Sequence, residues 1–391
     1  MLRSFPGLPF PGLLGTGVLL LGALLPGQDA GCRSCNGTGT RPCSGHRKLL
    51  ELEQAVSACS EAVRCRHCGG VLERDCQSCA NPVAEADLKK RAEELATWLD
   101  GRRKSIDAVT GGKEILHLRT AHVDLAFSVR PLTVGRTKLD THRLMHLYGE
   151  RIEELRALFL STFGCDDRAL PARLQVFLFK DLLDHQRLAP RVTGQGSGSN
   201  GTKLMGIDSV YCAFHNPQTM PGDEELHRNV VHNVTHLLLA NATPTRWLGN
   251  RKAGWIDAGV AHWFEDKVTG KCTNFCYEEV ALHPGAGFKG GRWRVPLRKM
   301  AEAGEIGTFA RLSQLNTDEL TFQDHAHAFA CIDYLMTTQG GPKLKGMIDR
   351  VKQDLAVRDA MKEVLATNVL AFDGELIAWI KATYPMEEGN R

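Results

Sequence analysis

Two histidines four residues apart, in the run Val230-Val231-His232-Asn233-Val234-Thr235-His236-Leu237-Leu238-Leu239, constrain this chain more than any other feature. On an α-helix, side chains spaced by four share a face within about 6 Å, close enough for His232 and His236 to hold one metal ion. The segment carries helical signals. Asp223, Glu224 and Glu225 place a cap and negative charge at its start, and Val230, Val231, Val234, Leu237 and Leu238 form an apolar face. The residue after the first histidine is Asn233. A carboxamide donates and accepts hydrogen bonds but does not cycle a proton near neutral pH, so this pattern supplies metal ligands without a general base.

One short loop later comes Trp255-Ile256-Asp257-Ala258-Gly259-Val260-Ala261-His262-Trp263. The two runs together resemble the gluzincin (thermolysin-like) class of metallopeptidases, whose first helix reads His-Glu-x-x-His and whose second begins Trp-Leu-x-Glu-Gly-x-Ala-x-Tyr. The resemblance spans roughly residues 113–385. It implies an α+β, zincin-like fold with a largely helical C-terminal part, and a cleft zinc held by His232, His236 and, at the third-ligand position, Asp257. Asn233 then stands where the family has its catalytic Glu. Asp reaches about 1.5 Å less far than Glu, so coordination through Asp257 requires the two helices to lie closer. The resemblance also implies that a strand read at Leu204–Phe214 edges the cleft and pairs with extended peptide. A helix read at Asp324–Met336 would border the cleft, making His325 and His327 candidate oxyanion donors. A histidine on a packed helix is also an ordinary structural residue.

Eight of the thirteen cysteines fall between Cys32 and Cys79. Cys32-x-x-Cys35 is followed by Cys43-x-x-His46, and Cys65-x-x-Cys68 by Cys76-x-x-Cys79, the same pattern twice. Each such turn presents two ligands, and two turns complete a tetrahedral site, so the spacing points to two structural zinc ions rather than to disulfides. Which turns share an ion is left open. The first knuckle and its glycines resemble the repeat of DnaJ-type chaperones. Leu49, Leu52, Val56, Cys59 and Val63 recur at helical spacing between the halves.

The chain opens with Met1-Leu2-Arg3 and an apolar core at Leu13–Leu25, the length of a signal peptide. Export to the periplasm, cell surface or medium is expected, with lipid attachment at Cys32 as an alternative to simple cleavage. No later run is apolar enough to span a membrane. The net charge of +3, without a basic block, argues against a nucleic-acid partner. The expected organisation is a signal peptide (1–30), a cysteine-rich zinc domain (31–80), a helical connector (81–112) opening at Asn81-Pro82, and a peptidase-like domain (113–391). Within the last, a Gly/Ser loop covers 193–201, and Cys272 and Cys276 are spaced for a bridge.

Three functions compete on these grounds: a peptidase homologue that binds peptide or protein without cutting it, an active zinc peptidase using Glu265 or Asp266 as base, and a zinc-knuckle scaffold or chaperone-like protein. General-base help is worth typically 10²–10⁴ in rate, which favours the first.

Overall fold

The computed structural model describes residues 32–44, 60–61, 68, 70–111, 115–194, 201–206, 209–275 and 288–387. The leader and lipidation readings, the helix read around Cys59, the loop at 195–200, and the site residues His46, Cys65 and Cys276 lie outside these. Among the described residues, no helix is long and apolar enough to cross a membrane.

The strands are β1 (Thr40–Pro42), β2 (Ser60–Glu61), β3 (Glu73–Asp75), β4 (Leu116–Arg119), β5 (Val123–Phe127), β6 (Leu132–Val134), β7 (Thr137–Leu139), β8 (Leu174–Phe179), β9 (Gly201–Leu204) and β10 (Val210–Phe214). The principal helices are α1 (Pro82–Thr110), α2 (Thr141–Phe163), α3 (Leu182–Thr193), α4 (Asp223–Asn241), α5 (Gly254–Thr269), α6 (Arg294–Ala303), α7 (Phe322–Thr338), α8 (Gly341–Lys352) and α9 (Val369–Thr383). The fold is mixed α and β. Six strands form one mixed sheet in the order β2-β4-β5-β8-β10-β9. β5, β8 and β10 run parallel, while β9 pairs antiparallel to β10 and ends the sheet.

β5, β8 and β10 are almost entirely buried, and apolar except for Asp124 and Gln175, because both faces of the sheet are covered. On one face, Phe177, Phe179, Cys212 and Phe214 pack with Ile106 of α1 and Leu188 of α3. On the other, Leu125, Val176 and Tyr211 join the main core with α2, α4, α5 and α7. Asn81 caps α1 by accepting from the Ala84 N–H, and Pro82 occupies its first turn. The helix passes through Gly101, where the glycines after 100 had suggested an end, and stops at Gly111 in the left-handed conformation. The roughly 1 kcal/mol cost of an interior glycine is outweighed by burial of Leu95, Leu99, Ile106 and Val109.

The strand expected at Leu204–Phe214 is instead two strands, β9 and β10. The chain reverses near Gly206, whose φ of 115° is open to glycine and strained for other residues. The histidine helix is as expected, with Gly222 as its N-cap and Asp223 inside its first turn. There Asp223 receives two hydrogen bonds from Arg151 (2.7 and 2.9 Å) and one from the Tyr148 hydroxyl (2.9 Å). The α5–α7 contact is tight: a Cβ on Gly259 would meet the Ala328 carbonyl oxygen at 2.6 Å. Only a glycine lets these two helices approach so closely, and His262 and His325 meet across the seam.

Candidate metal centres

In the cysteine-rich segment, β1 and β3 pair antiparallel, Thr40 opposite Asp75 and Pro42 opposite Glu73. The ladder continues through Cys76 N–H to Gly39 O (2.9 Å) and Cys43 N–H to Leu72 O (2.7 Å). This register brings the first knuckle to the last. Cys32 Sγ lies 3.8 Å from Cys76 Sγ, and Cys35 Sγ 3.5 Å from Cys79 Sγ. Sulfurs bound tetrahedrally at about 2.3 Å from one ion stand about 3.8 Å apart, and a disulfide would bring them to about 2.05 Å. These four cysteines are therefore a group that can hold a metal ion. Burial works against ionisation of Cys35, but the Gly39 N–H (3.3 Å from its sulfur) and the neighbouring thiols outweigh it and bring the thiol down to about 6, as a ligand thiolate requires. Cys43 and Cys68 are buried and interact with each other inside this outer group; burial, first of all, pushes the Cys68 thiol up to about 12. Their expected co-ligands, His46 and Cys65, lie outside the described residues.

The second centre is in the main core, where α4 packs against α5 and α5 against α7. His232, His236, Asp257, His262, Glu265 and His325 are all fully buried. His236 and His232 face each other through Nε2, 3.3 Å apart. Each ring presents its other nitrogen to a carboxylate of α5: His236 Nδ1 lies 2.9 Å from Asp257 Oδ1, and His232 Nδ1 lies 3.0 Å from Glu265 Oε2. Burial opposes ionisation of both carboxyls, yet the histidine contacts prevail. Asp257 is held below its ordinary value and Glu265 is drawn down to about 2. Ionised carboxylates fix a proton on each Nδ1, so two Nε2 lone pairs confront one another. A cation between them resolves that conflict, and two nitrogens bound tetrahedrally at 2.0–2.1 Å stand about 3.3 Å apart.

The chain matches no family model and no curated protein. The gluzincin resemblance thus rests on the histidine motif and the helix that follows it, read against this geometry.

Asp257 is brought to the histidines but takes a different place from the one expected. It sits behind His236, and its second oxygen accepts from Trp247 Nε1 (3.1 Å) and Thr317 Oγ1 (2.9 Å). Its shorter side chain reaches the ring of His236 rather than the gap between the two rings. Glu265, read as an alternative base, is committed as well: Oε1 accepts from the Thr273 N–H (2.7 Å), the Asn274 N–H (3.2 Å) and Asn274 Nδ2 (2.8 Å). Asp266 pairs with Arg294 at 2.8 Å.

His262 was not singled out from the sequence. Together with His232 and Glu265 it forms a second group able to hold a metal, with ligand atoms within 4.8 Å of one another. His262 Nδ1 is 3.6 Å from Glu265 Oε2, beyond hydrogen-bond range, and has no partner among the described residues. This group and the Nε2 pair share His232. The signal for His262 was its position three residues before Glu265, on the same face of α5. His325 does not reach the solvent: its Nδ1 is 3.0 Å from His262 Nε2. His327 is also buried, and burial pulls it down to about 4. Neither is placed to meet a substrate oxyanion. His227 lies edge-on to Tyr148, centroids 6.4 Å apart. Cys272 donates to the His262 carbonyl at 3.2 Å.

Asn233, at the position of the missing base, receives a hydrogen bond from Lys203 Nζ of β9 to its Oδ1 (2.8 Å). Its Nδ2 donates to Asn229 O (2.8 Å) and lies 3.3 Å from the Tyr211 hydroxyl, which itself donates to Asn229 Oδ1. Asn229 Nδ2 continues to Asn274 Oδ1 at 3.1 Å. A cavity of about 600 Å³ opens elsewhere, between Asn250–Lys252, Ser313–Gln314 and Val351–Val357, and none of the histidines lines it.

Proposed function

We propose that this chain is an exported relative of zinc peptidases that binds an extended peptide or protein segment and does not cut it. The observation that carries the reading is the Lys203–Asn233 hydrogen bond, which puts a neutral amide and an ammonium where a peptidase needs a free carboxylate. The other nearby carboxylates support it. Asp257 and Glu265 each stand behind a histidine, and Asp266 is bound to Arg294, so none is poised to take a proton from water. A zinc ion held by the histidine group would polarise bound water, while the residues of this chain position the rings and withhold the proton acceptor. Zinc is also the proposed occupant of the four-cysteine site, where all-thiolate tetrahedral ligation favours it. β9 ends the sheet beside α4, and an added peptide strand would lie along it.

The test is elemental analysis of the purified chain together with a peptidase assay on denatured casein, with and without a chelator. Zinc without chelator-sensitive hydrolysis is expected. Hydrolysis that disappears with chelator and in His232→Ala would overturn the reading.

A further inference from the structure

Lys203 stands out among the cations near the histidine helix. Its ammonium has one partner among the described residues, the neutral Asn233 Oδ1, and no carboxylate. Around it, Asn229, Asn233 and Asn274 are half-buried and joined by hydrogen bonds into one strip over the buried histidines. Among the described residues the strip carries a single formal charge, that of Lys203. Glu265 lies directly behind it but is fully buried, its oxygens filled by the backbone of Thr273 and Asn274, the Asn274 amide and His232.

An ammonium exchanges a neutral acceptor for a carboxylate with a gain, because a charge-assisted hydrogen bond is roughly twice as strong as a neutral one. The three asparagine amides offer further donors to a planar anion. Lys203 sits within β9, so the same strand that would pair with a ligand backbone carries the cation. We infer that the cleft recognises a carboxylate, and that Lys203, with the Asn229–Asn233–Asn274 strip, selects extended peptides bearing an acidic side chain or a free C-terminus. This rests on the peptide-binding reading and names its ligand class.

The experiment uses the full chain and three blocked or free pentapeptides of alternating Val and Thr: one with a central Glu and an amidated end, one with a central Gln and an amidated end, and one with a central Gln and a free C-terminal carboxylate. Fluorescence polarisation should show at least tenfold tighter binding of one carboxylate peptide over the amidated Gln peptide. Which of the two gains identifies side chain or terminus. Lys203→Gln should abolish that preference, with the thermal midpoint within a few degrees of the parent chain's. Equal binding of all three peptides, or a preference that survives Lys203→Gln, would overturn the inference and leave peptide binding standing. Binding of none would overturn the peptide-binding reading itself.

Discussion

The Nε2 atoms of His232 and His236 lie 3.3 Å apart, each ring braced from behind by a carboxylate of the next helix. A cation in that gap removes the clash of lone pairs and leaves both carboxylate contacts intact. An ion in the other group would instead take His262 and Glu265 as ligands beside His232. His236→Ala is therefore expected to remove the ion of this centre and His262→Ala to retain it. Metal content after gel filtration checks this, and the opposite pattern would move the ion to the His232–His262–Glu265 group.

Asp257→Asn keeps the size of the side chain but removes the charge that holds the His236 proton. Loss of such a supporting partner typically costs 10- to 100-fold in metal affinity. Competition with a fluorescent chelator should show a weakening of that order at one site per chain, with the four-cysteine site unchanged.

Asn233→Glu is expected to remain inactive. Lys203 Nζ is already 2.8 Å from the side-chain oxygen at this position and would pair with a new carboxylate. Only with Lys203→Met added would the base be free, and chelator-sensitive hydrolysis above background is expected in that double variant alone. Activity in the single variant would show that Lys203 does not control the position.

Acid should destabilise the fold through histidines remote from the metal centre. Burial brings His117 down to about 3 and His185 and His327 to about 4. The unfolded chain takes up these protons near pH 6.5 and the folded chain does not. Between pH 6.5 and about 4 the unfolded state binds more protons, so stability is full above 6.5 and falls as pH drops through that window. Urea midpoints measured at intervals from pH 7.5 to 4.5 should decline; a flat profile would contradict the burial of these rings.

Lys352 is almost entirely buried at the far end of α4, where its Nζ is 2.5 Å from Ala242 O and also donates to Leu239 O. These carbonyls end the histidine helix and have no successor turn. Lys352→Met should leave them unpartnered and cost about 1–3 kcal/mol in chemical denaturation, because buried acceptors lose their donor. A stabilised variant would show instead that burying the ammonium outweighs the two hydrogen bonds.

What could be read from the sequence followed periodicity and spacing. The apolar face of α4 lies where its pattern puts it. The four-cysteine group uses residues marked by the duplicated spacing. Its pairing of first knuckle with last was not readable, because it is decided by the β1–β3 register. α3 escaped notice: its apolar face is narrow and Pro190 interrupts the helical signal. The role of Asp257 depended on how far α5 stands from α4, which no local pattern encodes. Lys203 falls between the Gly/Ser loop and the expected strand, where no local pattern marks it. Its meaning arises only when the turn at Gly206 folds β9 back beside α4.

The four-cysteine group also has a topological consequence. It ties the chain to itself between Cys35 and Cys76, and the Cys43–Cys68 contact is nested inside that loop. Closing the outer loop restricts the segment within which the inner pair must meet, so the two closures assist each other even without touching. Loop-closure entropy rises only by about 0.6 kcal/mol for each doubling of length. The stretch between Cys43 and β2 can therefore lengthen or shorten at little thermodynamic cost, while β2 itself is held by its pairing with β4.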